Sequence, residues 1–218
     1  MCIRDRYIHI PWCVRKCPYC DFNSHAASPT LPEEEYVDAL LADLDQDLHA
    51  VHGRELSSIF FGGGTPSLFS AQALGRLLKG VEQRIRFAPD IEITLEANPG
   101  TFEQEKFTAY RALGINRLSI GIQSFQEQKL KALGRIHNGD EAIRAAGMAR
   151  QAGFDNFNLD LMHGLPDQSL DDALGDLRQA IAMKPTHLSW YQLTLEPNTV
   201  FWNQPPVLPE DDTLWDIQ

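Results

Sequence analysis

The chain has 218 residues, 43% hydrophobic and 22% charged, which fits one folded core and excludes a disordered chain. With 19 Lys and Arg against 30 Asp and Glu, the formal net charge is −11, which disfavours binding to a nucleic-acid backbone. Apolar runs are short and interrupted, so no transmembrane segment is expected.

Short β-rich apolar runs predict strands at 7–10, 58–61, 91–95, 117–122, 156–161 and 187–193. Apolar residues at helical spacing separate them. One stripe is Leu40, Leu41, Leu44, Leu48 and Val51, a second is Leu74, Leu77, Leu78, Val81 and Ile85, and a third is Leu170, Leu174, Leu177 and Ile181. Capping boxes are expected at Thr30 with Glu33, Thr101 with Gln104, and Ser124 with Glu127. Gly114 and Gly153 each follow a helical stretch and precede a strand, as C-terminal helix caps. The expected fold class is therefore α/β, six βα units around a parallel sheet that is doubly wound or curled into a partial (βα)6 barrel.

Residues 1–6, Met1-Cys2-Ile3-Arg4-Asp5-Arg6, match nothing else in the chain and lack a signal-peptide core. They are read as a leader, an artefact of assembly or cloning, ahead of one core domain at 7–208. The chain is then placed in the reducing cytoplasm. At 209–218, Pro209-Glu210-Asp211-Asp212 opens a helix whose apolar face begins with Leu214, Trp215 and Ile217. Two turns do not stabilise themselves, so this helix is expected to belong to something larger.

Four cysteines occur, and Cys13, Cys17 and Cys20 crowd into a C-x3-C-x2-C motif just after the first strand. A disulfide framework would spread its cysteines along the chain, so metal or cluster ligation is expected. Three thiolates leave one iron of a cubane cluster with an open position, which suits chemistry. The alternative is a structural zinc ion, with His9 or His25 as fourth ligand. Cys2 is read as a free thiol.

The motif resembles the signature of radical S-adenosylmethionine (SAM) proteins. Tyr7-Ile8-His9-Ile10-Pro11-Trp12-Cys13 and Cys17-Pro18-Tyr19-Cys20-Asp21-Phe22-Asn23 resemble the branch that holds oxygen-independent coproporphyrinogen III dehydrogenase and its heme-chaperone relatives. Phe61-Gly62-Gly63-Gly64-Thr65-Pro66-Ser67, Glu96-Ala97-Asn98-Pro99-Gly100, Ser119-Ile120-Gly121-Ile122-Gln123-Ser124-Phe125 and Asn158-Leu159-Asp160-Leu161-Met162-His163-Gly164-Leu165-Pro166 carry the same resemblance. It implies a partial radical SAM barrel with a [4Fe-4S] cluster on Cys13, Cys17 and Cys20, and SAM on its open iron.

Other residues acquire roles beside that resemblance. Consecutive glycines after the second predicted strand let backbone approach a ligand, and the resemblance makes Gly63, Gly64 and Thr65 a surface for SAM's methionine end. Alone, the same run reads as a tight βα turn. Glu96, Gln123 and Asp160 sit at the C-terminal ends of strands, the rim where parallel barrels keep their sites, and are assigned to SAM. Arg135 is read as the partner of a carboxylate, Tyr7 and Tyr19 as shields around the cluster, and Thr194 as a further SAM-lining residue. His163 is read as a structural residue, with heme ligation the weaker reading.

In the dehydrogenases of this branch a fourth cysteine follows two residues after the third, and here that position is Phe22. The resemblance is therefore to the heme chaperones, and implies heme as cargo, an acceptor protein and an electron donor for the cluster. Their heme-associated His-Asn-x-x-Tyr-Trp motif does not occur in these 218 residues. The alternatives are an enzyme that oxidatively decarboxylates coproporphyrinogen III, or a structural zinc module.

Overall fold

The computed structural model describes residues 5–101 and 104–217. Six parallel strands form one sheet in chain order: β1 (Asp5–Ile10), β4 (Leu56–Gly63), β5 (Phe87–Ala97), β6 (Arg117–Gln123), β7 (Asn156–His163) and β8 (His187–Gln192). Each predicted strand is there, most of them longer than the apolar run that announced it. β1 starts at Asp5, so Asp5 and Arg6 lie in the sheet, with Asp5 accepting a 2.8 Å hydrogen bond from Ser58. Cys2 lies outside the described residues.

The connections are α1 (Glu33–Val51), α2 (Ala71–Arg84), α3 (Gln104–Ala112), α4 (Glu127–Ala132) with α5 (Gly139–Gln151), and α6 (Leu170–Ala182). Strand alternation sorts the side chains. Ile59 and Phe61, Ile93 and Leu95, Leu118 and Ile120, and Phe157 and Leu159 are buried in the main core. The alternate positions Glu96, Ser119, Asn158 and Asp160 are polar. Register puts Glu96 beside Ser119 and Ser119 beside Asn158, so the polar face is continuous across three strands.

The second helical stripe is core throughout, from Leu74 to Ile85. In α1 only Val37 and Leu44 are fully buried. The third stripe is misplaced: α6 buries Ala173, Asp176 and Ala180, while Ile181 is 59% exposed. Small residues let α6 approach the sheet, and the buried Asp176 has polar work described below.

Two of the expected caps fail for a stated reason. Glu33 is taken by Ser70, whose backbone N–H and hydroxyl both donate to its carboxylate, so α1 starts after Pro32 without a side-chain cap. Ser124 donates to Asp176 instead of capping α4. The Thr101 cap falls on side chains outside the described residues. Among the described residues, the capping boxes formed are Asn138 with Glu141 and Ser169 with Asp172. Gly114 and Gly153 close their helices at φ +97° and +89° as expected.

A two-residue parallel pair, β2 (Trp12–Cys13) with β3 (His25–Ala26), has no sequence signal and closes the cysteine segment. After β8 come α7 (Val200–Asn203) and α8 (Asp211–Ile217), the latter at the predicted helix start, with Ile217 buried and Trp215 79% exposed. No helix among the described residues is long and apolar enough to cross a membrane.

Tyr110 of α3 is fully buried, and its hydroxyl donates to the carbonyls of Ser67 (3.0 Å) and Phe69 (2.5 Å), just past the glycine turn. Tyr110→Phe strips both carbonyls of that donor. It should cost about 1–3 kcal/mol in urea unfolding, and no change would show that water replaces the hydroxyl.

Candidate functional site

The cysteine segment is held in place by the protein itself. His25 N–H donates to Pro11 O and Ala27 N–H to Cys13 O, both at 2.7 Å. Lys16 Nζ donates to the carbonyls of Phe22 (3.0 Å) and Ser24 (3.2 Å) inside the loop. His9 bridges outward from β1: Nε2–H donates to Asn23 O, so Nδ1 accepts from the Tyr7 hydroxyl, each at 2.8 Å. Cys13, Cys17 and Cys20 are free thiols, half-buried, and all three line one cavity of about 480 Å³.

With both its nitrogens engaged, His9 is no zinc ligand, and His25 is exposed. Among the described residues no three His, Cys, Asp or Glu side chains converge on a single metal ion. Three thiols spaced around an open cavity suit a group larger than a single ion. Burial pushes the Cys13 thiol up, against hydrogen bonds with Thr65 and Ser24, so ligation there must displace a proton.

Opposite the thiols runs the glycine turn at the end of β4. Gly64 N–H donates to Ile10 O (2.8 Å) and Thr65 N–H to Trp12 O (2.7 Å), which knits the turn to the cysteine segment. A Cβ on Gly64 would lie 2.6 Å from Trp12 O, and one on Gly63 (φ +119°) would lie 2.6 Å from the His9 ring. No side chain fits at either position.

The rim supplies the charge. Glu96 Oε2 accepts from Gly63 N–H at 3.2 Å. Burial, with Asp160 as the next cause, pushes its carboxyl from 4.5 up to about 7. Asp160 accepts from Ser119 Oγ (2.8 Å) and Asn158 Nδ2 (2.7 Å), yet burial still holds its carboxyl above the usual range. Gln123, at φ +69°, accepts from the Tyr191 hydroxyl at 2.8 Å.

Arg135 Nη2 donates to Gly121 O (2.8 Å) and to Asn98, Nη1 reaches Cys17 Sγ at 3.7 Å, and the buried Nε has no partner. Tyr19 lies beside Cys17 and Arg135, where burial holds its phenol far above the ordinary value. Thr194, just past β8, is on the cavity wall.

The structure thus brings to one cavity every residue assigned from the sequence to the cluster or SAM except Tyr7. Tyr7 is 55% exposed, stacks on Phe60 and packs against Gly62 on the strand face shared with Glu96, and burial followed by the Glu96 charge pushes its phenol up. His163 lies away from the cavity, buried against Trp190 with ring centroids 4.8 Å apart. Asn98, Ser119, Asn158 and Tyr191 belong to the site and were missed. The first stands two residues after Glu96, and the others occupy the polar positions of alternating strands.

A model of the radical SAM superfamily matches residues 7–180. The chain belongs to the radical SAM superfamily. It is 64% identical over 211 residues to the heme chaperone HemW of Escherichia coli (strain K12), a match spanning 97% of this chain and 56% of that protein. HemW of Haemophilus influenzae is 60% identical over 215 residues, with the same coverage. The solved structure of coproporphyrinogen III oxidase (HemN) from Escherichia coli, described as a radical SAM enzyme, superposes with a TM-score of 0.87 at 29% identity, over 98% of this chain and 50% of that one. The chain thus spans about half the length of the curated relatives it matches.

Membership of this superfamily implies a [4Fe-4S] cluster and SAM, and the site fits both. Three free thiols share a cavity with the backbone of Gly63 and Gly64, and a buried Arg135 Nε lacks a partner.

The raised Glu96 carboxyl has a stability consequence. Below pH 4.5 it is protonated whether the chain is folded or not. Between 4.5 and about 7 only the folded state keeps the proton, so stability falls as pH rises through that window. The full cost, on the order of 3 kcal/mol, remains above pH 7. Glu96→Gln should match the wild type in urea unfolding at pH 4.5 and exceed it at pH 8. Equal stability at both pH values would remove the burial argument.

Proposed function

We propose that this chain is the cluster- and SAM-binding half of a cytoplasmic heme chaperone of the HemW type, which hands heme to an acceptor protein. The carrying observation is that Cys13, Cys17 and Cys20 share one cavity with Gly63, Gly64, Thr65, Glu96, Gln123, Arg135, Asp160 and Thr194. The names of the close relatives supply the cargo.

In this reading Cys13, Cys17 and Cys20 hold the cluster, which when bound supplies one electron to SAM from a donor protein. Gly63 and Gly64 present backbone to the methionine end of SAM, with Thr65 held by Asn98 Nδ2 at 2.9 Å. Glu96 and Asp160 present acidic oxygens to its cationic groups, and that positive charge relieves their mutual repulsion. Arg135 and Gln123 orient the ligand, Thr194 borders it, Tyr19 keeps water from the Cys17 side, and Tyr7 steadies the turn.

Position 22 supports the carrier reading over the dehydrogenase. Phe22 stands where the dehydrogenases resembled by this motif have a fourth cysteine, and its ring is 60% exposed. The TM-score of 0.87 to coproporphyrinogen III oxidase is compatible with a second reading, a porphyrinogen-decarboxylating enzyme, but at 29% identity it does not outweigh the 60–64% identity to heme chaperones.

Anaerobic reconstitution tests both halves of the proposal. Wild type should take up about four irons per chain and Cys17→Ala substantially less. The reconstituted protein should leave coproporphyrinogen III unconsumed in the presence of SAM and reductant. Its consumption would overturn the chaperone reading in favour of the enzyme, and full iron uptake by Cys17→Ala would overturn the ligand assignment.

A further inference from the structure

Among the described residues, Gln123 is the one non-glycine residue at positive φ on the cavity wall, at +69°. The strand pairing shifts register between Gly121 and Gln123, and Ser124 N–H donates to Ile122 O at 2.9 Å, closing a three-residue turn around Gln123. A tight turn of this kind at a side chain with a Cβ is strained, and it persists only where its surroundings over-determine it. Those surroundings are on the far side of the strand from the cavity.

Asp176 of α6 is 2% exposed and accepts from both the Ser124 hydroxyl (2.6 Å) and the Phe125 backbone N–H (3.0 Å). Ser124 Oγ in turn accepts from Gln126 N–H at 3.1 Å. On the other side His137 Nε2–H donates to Ile122 O at 3.0 Å, so that carbonyl serves two donors. Behind Phe125 its carbonyl oxygen sits 2.2 Å from where a Cβ on Gly139 would be, so the loop cannot relax toward α5.

A buried carboxylate is expensive, and α6 is otherwise an alanine-faced packing helix. We propose that Asp176 is a positioning residue: its carboxylate holds the turn that aims the Gln123 carboxamide into the cavity, where it meets Tyr191. It acts from the helix layer and does not touch the ligand. The proposal rests on the reading of this cavity as the SAM site.

The test compares the full chain as wild type, Asp176→Asn, Ser124→Ala, Gln123→Gly and the Asp176→Asn/Gln123→Gly double variant. Ser124→Ala removes one of the two donors and keeps the carboxylate, so it serves if Asp176→Asn folds poorly. Asp176→Asn should raise the dissociation constant of SAM for the reconstituted protein about tenfold, and Ser124→Ala less. In the protein without cluster, Asp176→Asn should lower the melting temperature. In the Gln123→Gly background the drop should be at most half as large, since glycine takes positive φ without restraint.

A role in stability alone predicts equal melting penalties in both backgrounds and a SAM affinity within twofold of wild type, and either result overturns the proposal. If wild type takes up no SAM, the reading of the cavity fails. The melting comparison then decides by itself whether Asp176 restrains Gln123.

Discussion

Thr65 N–H donating to Trp12 O, with Gly64 pressed against the same carbonyl, is the contact on which the site depends. It joins the ends of two neighbouring parallel strands, one leading into the thiols and the other into the glycine turn. Because β1 and β4 are adjacent and parallel, both segments leave the sheet at the same edge. The cysteines and the backbone of Gly63 and Gly64 therefore line one cavity.

The second constraint is electrostatic. Period-two alternation gives each central strand an apolar face for the helices and a polar face for the cavity. Glu96 is consequently buried close enough to Asp160 that the Asp160 charge adds to burial in disfavouring its ionisation. This is a poor arrangement for an empty protein and a suitable one for a ligand carrying positive charge, the usual conflict between stability and a preorganised site. Arg135 fits the same pattern, with a guanidinium committed to Gly121, Asn98 and Cys17 and one nitrogen left unpaired.

Much of this was legible in the sequence because it follows local rules. Strand alternation, the cysteine spacing and the glycine caps at 114 and 153 each depend on neighbours a few residues away. What escaped depends on distant partners. Glu33 was bound by Ser70 and Ser124 by Asp176, so both left the caps that local spacing assigned to them. The leucine stripe of α6 misled because alanines, with a buried aspartate between them, make its inner face.

The central claim is that the three thiols and the polar rim form one site for a cluster and SAM together. Electron paramagnetic resonance of the reconstituted, reduced chain, recorded with and without SAM, addresses it most directly. The account predicts a four-iron cluster signal whose g-values shift when SAM is added, because the ligand occupies the iron that the cysteines leave open. A colourless zinc protein, or a cluster signal indifferent to SAM, would contradict it.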